Sequence, residues 1–175
     1  MRWPGMPLKL TNNNVVQCDL MSLKNYSTSI STEKTVLEIE NILSTHGASA
    51  ILKQYDGVGN ITELNFMIDT EFGKIPFKLP MDAQKVLQIL KREKIMGKAS
   101  GLSKAESEDI SRARMVGWRI IKDWIDSQLA LVEVNLVKVE QVFLPYAYDP
   151  VKNQTLYEVI RERKFAGMLM EPKHP

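Results

Sequence analysis

Soft metal ligands are scarce in this chain. Among 175 residues there are one cysteine, Cys18, and two histidines, His46 and His174. A zinc site draws on clusters of cysteine and histidine, and the sequence has none. A lone cysteine forms no intramolecular disulfide, which fits a reducing compartment. Cys18 has no histidine near it in sequence to activate it as a nucleophile. The charge balance is also slight, at +2. That is too little to imply nucleic acid, so only the distribution of the charges can do so. No uninterrupted apolar run approaches the length of a membrane span, because charges interrupt Met115 to Leu144 throughout. The N-terminus lacks the continuous apolar core and cleavage site of a signal peptide. The expectation is a soluble protein of the cytoplasm. Walker, GxGxxG and GxSxG patterns are absent, and no cofactor is expected. Gly57-Val58-Gly59 leads into no helix and reads as a hairpin turn.

Proline is missing as well from Gly101 to Leu144, and there the helical signal is strongest. Ser103 and Glu106 have the spacing of a capping box. Trp118, Ile121, Ile125, Leu129, Val132, Leu136, Val139 and Phe143 follow at steps of three and four. Gly117, Ile120, Trp124, Leu131 and Val134 make a second stripe beside them. A helix this apolar is covered on several sides. Unbroken, the stretch would run about 60 Å. A bend, a break into two helices or a partner chain is therefore expected, with Trp124 almost fully buried.

The composition, 44% apolar and 25% charged, suits one soluble domain with a core of its own. Residues 1–28 mix proline, glycine and consecutive asparagines, and read as a disordered leader. Met21 is the expected natural start, and a chain beginning there is expected to fold as stably as the full one. A first helix starts near Ser31 or Thr32, buries Val36, Ile39 and Leu43, and ends at His46 and Gly47. Capping the helix end is preferred over catalysis as the role of His46. Three strands follow: Ala48–Tyr55, Ile61–Asp69 with Leu64, Phe66 and Ile68 inward, and Lys74–Leu79. Pro76 marks the last as an edge strand. Asp82 caps a second helix that runs to about Met96. After the long stretch, Tyr146 to Asn153 reads as irregular and Thr155 to Lys164 as a short helix. Residues 166–175 read as a flexible tail.

Two groups of charges bear on function. Asp56, Glu63, Asp69 and Glu71 gather around the strand turns, where a magnesium-dependent nuclease would hold its metals. The Glu-x-Lys that such a site places on the third strand is missing, since that strand reads KIPFKLP. A solvated hairpin is the preferred reading. The basic residues Lys91, Arg92, Lys94 and Lys98 lie on or just after the second helix, with Arg112 and Arg114 at the start of the long one. If they converge, they can track phosphates; the competing reading is the wet side of two helices.

The α-β-β-β-α order from Thr32 to Gly97 resembles the topology of the double-stranded-RNA-binding domain. It lacks that family's lysine-rich start to the last helix and its histidine-bearing loop. The pattern TEKTVLEIENILSTHGA from Thr32, IPFKLP from Ile75, GWRIIKDWIDSQLALVEVNLVKVEQVFLPY from Gly117 and NQTLYEVI from Asn153 resembles small uncharacterised proteins of bacteriophages and prophages. That resemblance spans about residues 28–160 and implies a viral origin without an activity.

The sequence thus predicts an α+β domain over residues 29–165. Its α-β-β-β-α core has a three-stranded antiparallel sheet, covered on one face by helices, with a long helix and a short C-terminal helix after it. The expected function is that of a phage accessory protein acting in the host cytoplasm by binding rather than catalysis. Nucleic acid is the first candidate ligand. The alternatives are a dimerising or host-protein-capturing module and, behind it, the metal-dependent nuclease.

Overall fold

The computed structural model describes residues 22–165. Ser31 opens the first helix, α1 (Thr32–Thr45), by accepting from the Lys34 N–H. Val36, Ile39 and Leu43 are buried along one face of α1. Gly47, at φ +88°, turns the chain into β1 (Ala48–Tyr55). β1 pairs antiparallel with β2 (Ile61–Thr70), and β2 with β3 (Gly73–Lys78), in the order β1-β2-β3. Leu64, Phe66 and Ile68 face inward, as the alternation predicts. Pro76 lies on β3, at an edge of this sheet. Beyond β3, Asp82 caps α2 (Ala83–Ile95).

The long stretch breaks twice, into three helices: α3 (Lys104–Ser107), α4 (Ile110–Glu133) and α5 (Val139–Phe143). Ser103 and Glu106 form the expected capping box on α3. Asp109 then restarts the chain as the N-cap of α4, accepting from the Ser111 N–H at 2.8 Å. The second break is a Schellman motif. Asn135 takes the left-handed conformation at φ 57°, its N–H donates to the Val132 carbonyl, and the Leu136 N–H reaches back to Leu131. α4 is thereby about 36 Å long, a length one small domain can cover.

Two buried clusters hold the fold. The larger joins α1, the sheet, α4 and α5 through Val36, Leu64, Phe66, Phe77, Trp118, Ile125, Leu129 and Phe143. Trp118 is fully buried, and its indole N–H donates to the Ile61 carbonyl at 3.4 Å. Phe143 packs edge-on to Phe66 at 5.2 Å and to Trp124 at 5.5 Å. The smaller cluster sets Leu87 and Leu90 of α2 against Leu102, Ala113 and Val116. Trp124 is half-buried rather than fully buried, because its stripe turns toward Tyr146 at the domain surface.

Two further expectations need correction. Residues 22–28 belong to the fold instead of a leader: Leu23 and Tyr26 pack on the smaller cluster, and the Leu23 N–H donates to the buried Glu93 at 2.8 Å. Residues 1–21, with Cys18 and the expected start at Met21, and the tail 166–175 lie outside the described residues. The segment after Phe143 is ordered and not irregular. A 3-10 turn (Leu144–Tyr146) leads into a two-stranded ribbon of β4 (Tyr148–Asp149) and β5 (Gln154–Thr155). Ala147 bridges to Phe77, which docks this ribbon beside β3. Thr155 then caps α6 (Leu156–Glu162).

Trp118→Ala is expected to cost about 3–5 kcal/mol in chemical denaturation, as large core aromatics do; Trp124→Ala should cost less. The caps add a pH dependence. The Ser103 and Thr155 N–H groups and hydroxyls hold the Glu106 and Glu158 carboxyls below their ordinary range. A depressed carboxylate contributes stability above its unfolded pKa, and that contribution is lost as pH falls through the folded value. The melting temperature is therefore expected to fall as pH drops below about 4.5. A variant with Glu106→Gln and Glu158→Gln should show a shallower fall over the same titration.

Candidate nucleic-acid interface

The structure sorts the basic residues into two sets. Three of the four on α4, Arg114, Arg119 and Lys122, are spent inside the fold. Arg114, 17% exposed, reaches the β1–β2 turn and donates to Asp56 at 3.2 Å. Arg119 pairs with Glu38 of α1. Lys122 pairs with Asp126 at 3.0 Å. Arg114 thus ties α4 to the hairpin and leaves the predicted interface. The hydrogen bonds from Asn60, joined by the Arg114 charge, hold the Asp56 carboxyl below its ordinary range, which keeps the turn ionised and paired.

The residues of α2 behave differently. Gln84, Lys85, Gln88, Lys91, Arg92 and Ile95 are all exposed and recur at helical spacing along one face. Lys85 pairs with Asp82 at 2.9 Å. Among the described residues, Lys91, Arg92 and Lys94 make no ion pair. The face is built by the inward pull of Leu87 and Leu90, which turns Lys85, Lys91 and Arg92 on the opposite side out to water. Gly97, at φ +73°, ends the helix, and the Lys98 N–H closes a Schellman motif on the Glu93 carbonyl.

At this end α2 meets α3. A groove of about 430 Å³ is lined by Lys91, Lys94, Ile95, Lys104, Ser107 and Glu108. Lys94 and Arg112 both lie close enough to Glu106 to add to the depression of its carboxyl. The structure therefore brings Lys91, Lys94 and Arg112 to one corner, with Arg92 beside Lys91 on the exposed face of α2. Lys98 follows directly after the helix, and Arg114 points elsewhere. Sequence reading missed Lys104, because α3 reads there as the first turn of the long helix rather than the far wall of a groove.

The other end of α2 carries a larger feature that sequence reading also missed. A cleft of about 580 Å³ opens between the β3–α2 connection and the C-terminal ribbon. Lys78, Lys85, Tyr146, Asn153, Tyr157 and Arg161 are among its lining residues. Its walls come from segments sixty or more residues apart in sequence, so no local pattern announces it. Lys78 lies over the Tyr148 ring at 5.1 Å and Arg161 over Tyr157 at 5.9 Å.

The acidic residues considered for a nuclease are dispersed among separate partners. Asp56 takes Arg114, Glu63 takes Lys78, Asp69 takes Ser49, and Glu71 takes Lys138. Among the described residues, no three histidine, cysteine or acidic side chains converge as a metal site would require. His46 is the C-cap of α1, and its ring sits between the Ile42 carbonyl at 2.7 Å and Glu133 at 2.9 Å, tying α1 to the end of α4. No helix among the described residues is long and apolar enough to cross a membrane.

Comparison with protein-family models, with curated proteins and with solved structures finds no match to this chain.

Arg114→Ala is expected to lower the melting temperature, read by circular dichroism, while leaving nucleic-acid affinity unchanged. A loss of affinity without a loss of stability would return Arg114 to the interface.

Proposed function

We propose that the protein acts by binding nucleic acid along the outer face of α2. The observation that carries this reading is the sorting of charge. Arg114, Arg119 and Lys122 of α4 are neutralised by the fold's own carboxylates, whereas Lys91 and Arg92 are exposed and Lys94 half-buried, none with an ion-pair partner among the described residues. Unpaired cations clustered on one helix form the electrostatic footprint of a phosphate-tracking surface. Lys104 and Arg112 widen that footprint at the α2–α3 corner. Phosphate contacts of this kind position a strand without reading its sequence. The resemblance to phage-encoded proteins favours an accessory role in an infected cell.

A second reading has its own observation. α1, α2 and α5 absorb most of the apolar surface of α4, yet Val134 and Leu136 at its C-terminal end remain 62% and 71% exposed. A protein-binding or dimerising surface would sit there, on a different part of the molecule from the basic face.

Changing Lys91, Arg92 and Lys94 together to glutamate is expected to abolish binding to labelled oligonucleotides, measured by fluorescence anisotropy, with the melting temperature retained. Wild-type affinity should fall steeply with salt, at close to one unit of log–log slope per phosphate neutralised. Equal binding by the triple variant would sink the reading. Light scattering of the wild type decides the second one: a dimer that Leu136→Asp dissociates would favour it.

A further inference from the structure

The cleft at the N-terminal end of α2 and the basic corner at its C-terminal end share one helix. Lys85 lines the first, and Lys91 and Lys94 line the second. From Lys85 to Lys91 is six residues, or about 9 Å along the axis. A ligand lying on the exposed face of α2 therefore reaches from one site to the other past Gln88.

The two ends differ in shape and chemistry. The corner is an open groove of lysines. The cleft is a larger concavity that sets aromatic rings among its cations. Tyr157 is 48% exposed, and the Arg161 guanidinium lies against its ring. Among the described residues Arg161 makes no ion pair, though its charge also acts on the Glu158 carboxyl one turn earlier in α6. Tyr146 is held edge-to-face by Trp124 at 5.2 Å, and Trp124 by Phe143 at 5.5 Å. One cleft wall is thus fixed by the core before any ligand arrives. Asn153 accepts from the Tyr148 hydroxyl at 2.7 Å, which leaves its amide N–H groups as donors at the rim. The two carboxylates of the cleft are engaged: Asp82 caps α2 and pairs with Lys85, and Glu158 accepts from Thr155.

We infer that the strand bound along α2 is single-stranded, with one unpaired base entering the cleft to meet Tyr157 and Tyr146 while a flanking phosphate meets Arg161. This inference rests on the nucleic-acid reading and narrows it. A duplex presents phosphates to the face of α2 but keeps its bases stacked inside, where the cleft cannot reach them. A single strand offers both. Aromatic side chains beside a cationic track are the usual means of holding single strands without regard to sequence, since every base has a ring face. The volume suits a nucleotide, falling within the range of about 300–1,000 Å³ typical of ligand pockets.

The test compares a labelled oligothymidine with a duplex of equal length, by anisotropy at low salt, on the full chain. The wild type is expected to prefer the single strand roughly ten-fold or more, the scale of one base–aromatic contact. Tyr157→Ala should remove that preference and Tyr157→Phe should keep it, because the ring and not the hydroxyl provides the platform. Arg161→Gln should weaken single-strand binding more than duplex binding. Tyr157 is exposed, and the melting temperature of each variant verifies folding. Equal affinity for single strand and duplex, or an unchanged preference in a folded Tyr157→Ala, would overturn the cleft inference; the charge-reversal result on α2 would then still decide the broader reading. Absence of binding to either oligonucleotide at low salt would overturn both.

Discussion

The fold depends on covering α4. Its main stripe, from Trp118 through Ile125 to Leu129, is too apolar to face water, and burying it fixes where everything else must go. The sheet takes the Trp118 side, with the indole N–H satisfied by the Ile61 carbonyl. α1 closes one flank, joined by the Arg119–Glu38 pair and by His46 to Glu133. α2 closes the other through Leu87 and Leu90. Gly117 makes this second approach close: a Cβ there would stand 2.8 Å from the sulfur of Met81, just ahead of α2, and 3.3 Å from Val86 of α2. Because α2 must spend its apolar stripe on α4, its basic residues are left on the outside. The candidate interface is thus a consequence of the same burial that stabilises the domain.

A second consequence runs through the aromatic residues. Phe66 and Phe77 of the sheet meet Phe143, Phe143 meets Trp124, and Trp124 meets Tyr146 at the cleft. This chain of ring contacts joins the centre of the core to the wall of a surface site. It explains why Trp124 is half-buried: the residue links the two, with one side in the core and the other behind the cleft. Rigid walls of this kind lower the ordering cost of binding.

Local chemistry was legible in the sequence wherever one short segment decides the outcome. The caps at Ser31, Asp82, Ser103 and Thr155, the inward set on β2 and the edge position of Pro76 all depend on neighbours a few residues away. The break at Asn135 had a local signal too, since asparagine tolerates the left-handed conformation that ends a helix, but an apolar stripe continuing past it masked the stop. The half of the candidate site on α2 was equally legible, because a helix with buried leucines at fixed spacing must present its lysines outward.

What the sequence determined by itself, then, was the three strands of the sheet, the main helices and the side each one buries, because cap chemistry and hydrophobic period are properties of contiguous residues. What the tertiary structure alone decided was which charges remain unpaired and where a concavity forms. Arg114 and Lys91 are alike in sequence: each is a basic residue on an amphipathic helix. One meets Asp56, fifty-eight residues away, and is neutralised; the other meets no carboxylate among the described residues. The cleft likewise exists only because Ala147 bridges to Phe77 and brings α6 beside the start of α2. Pairing and concavity are relations between distant segments, and no period in the chain encodes them.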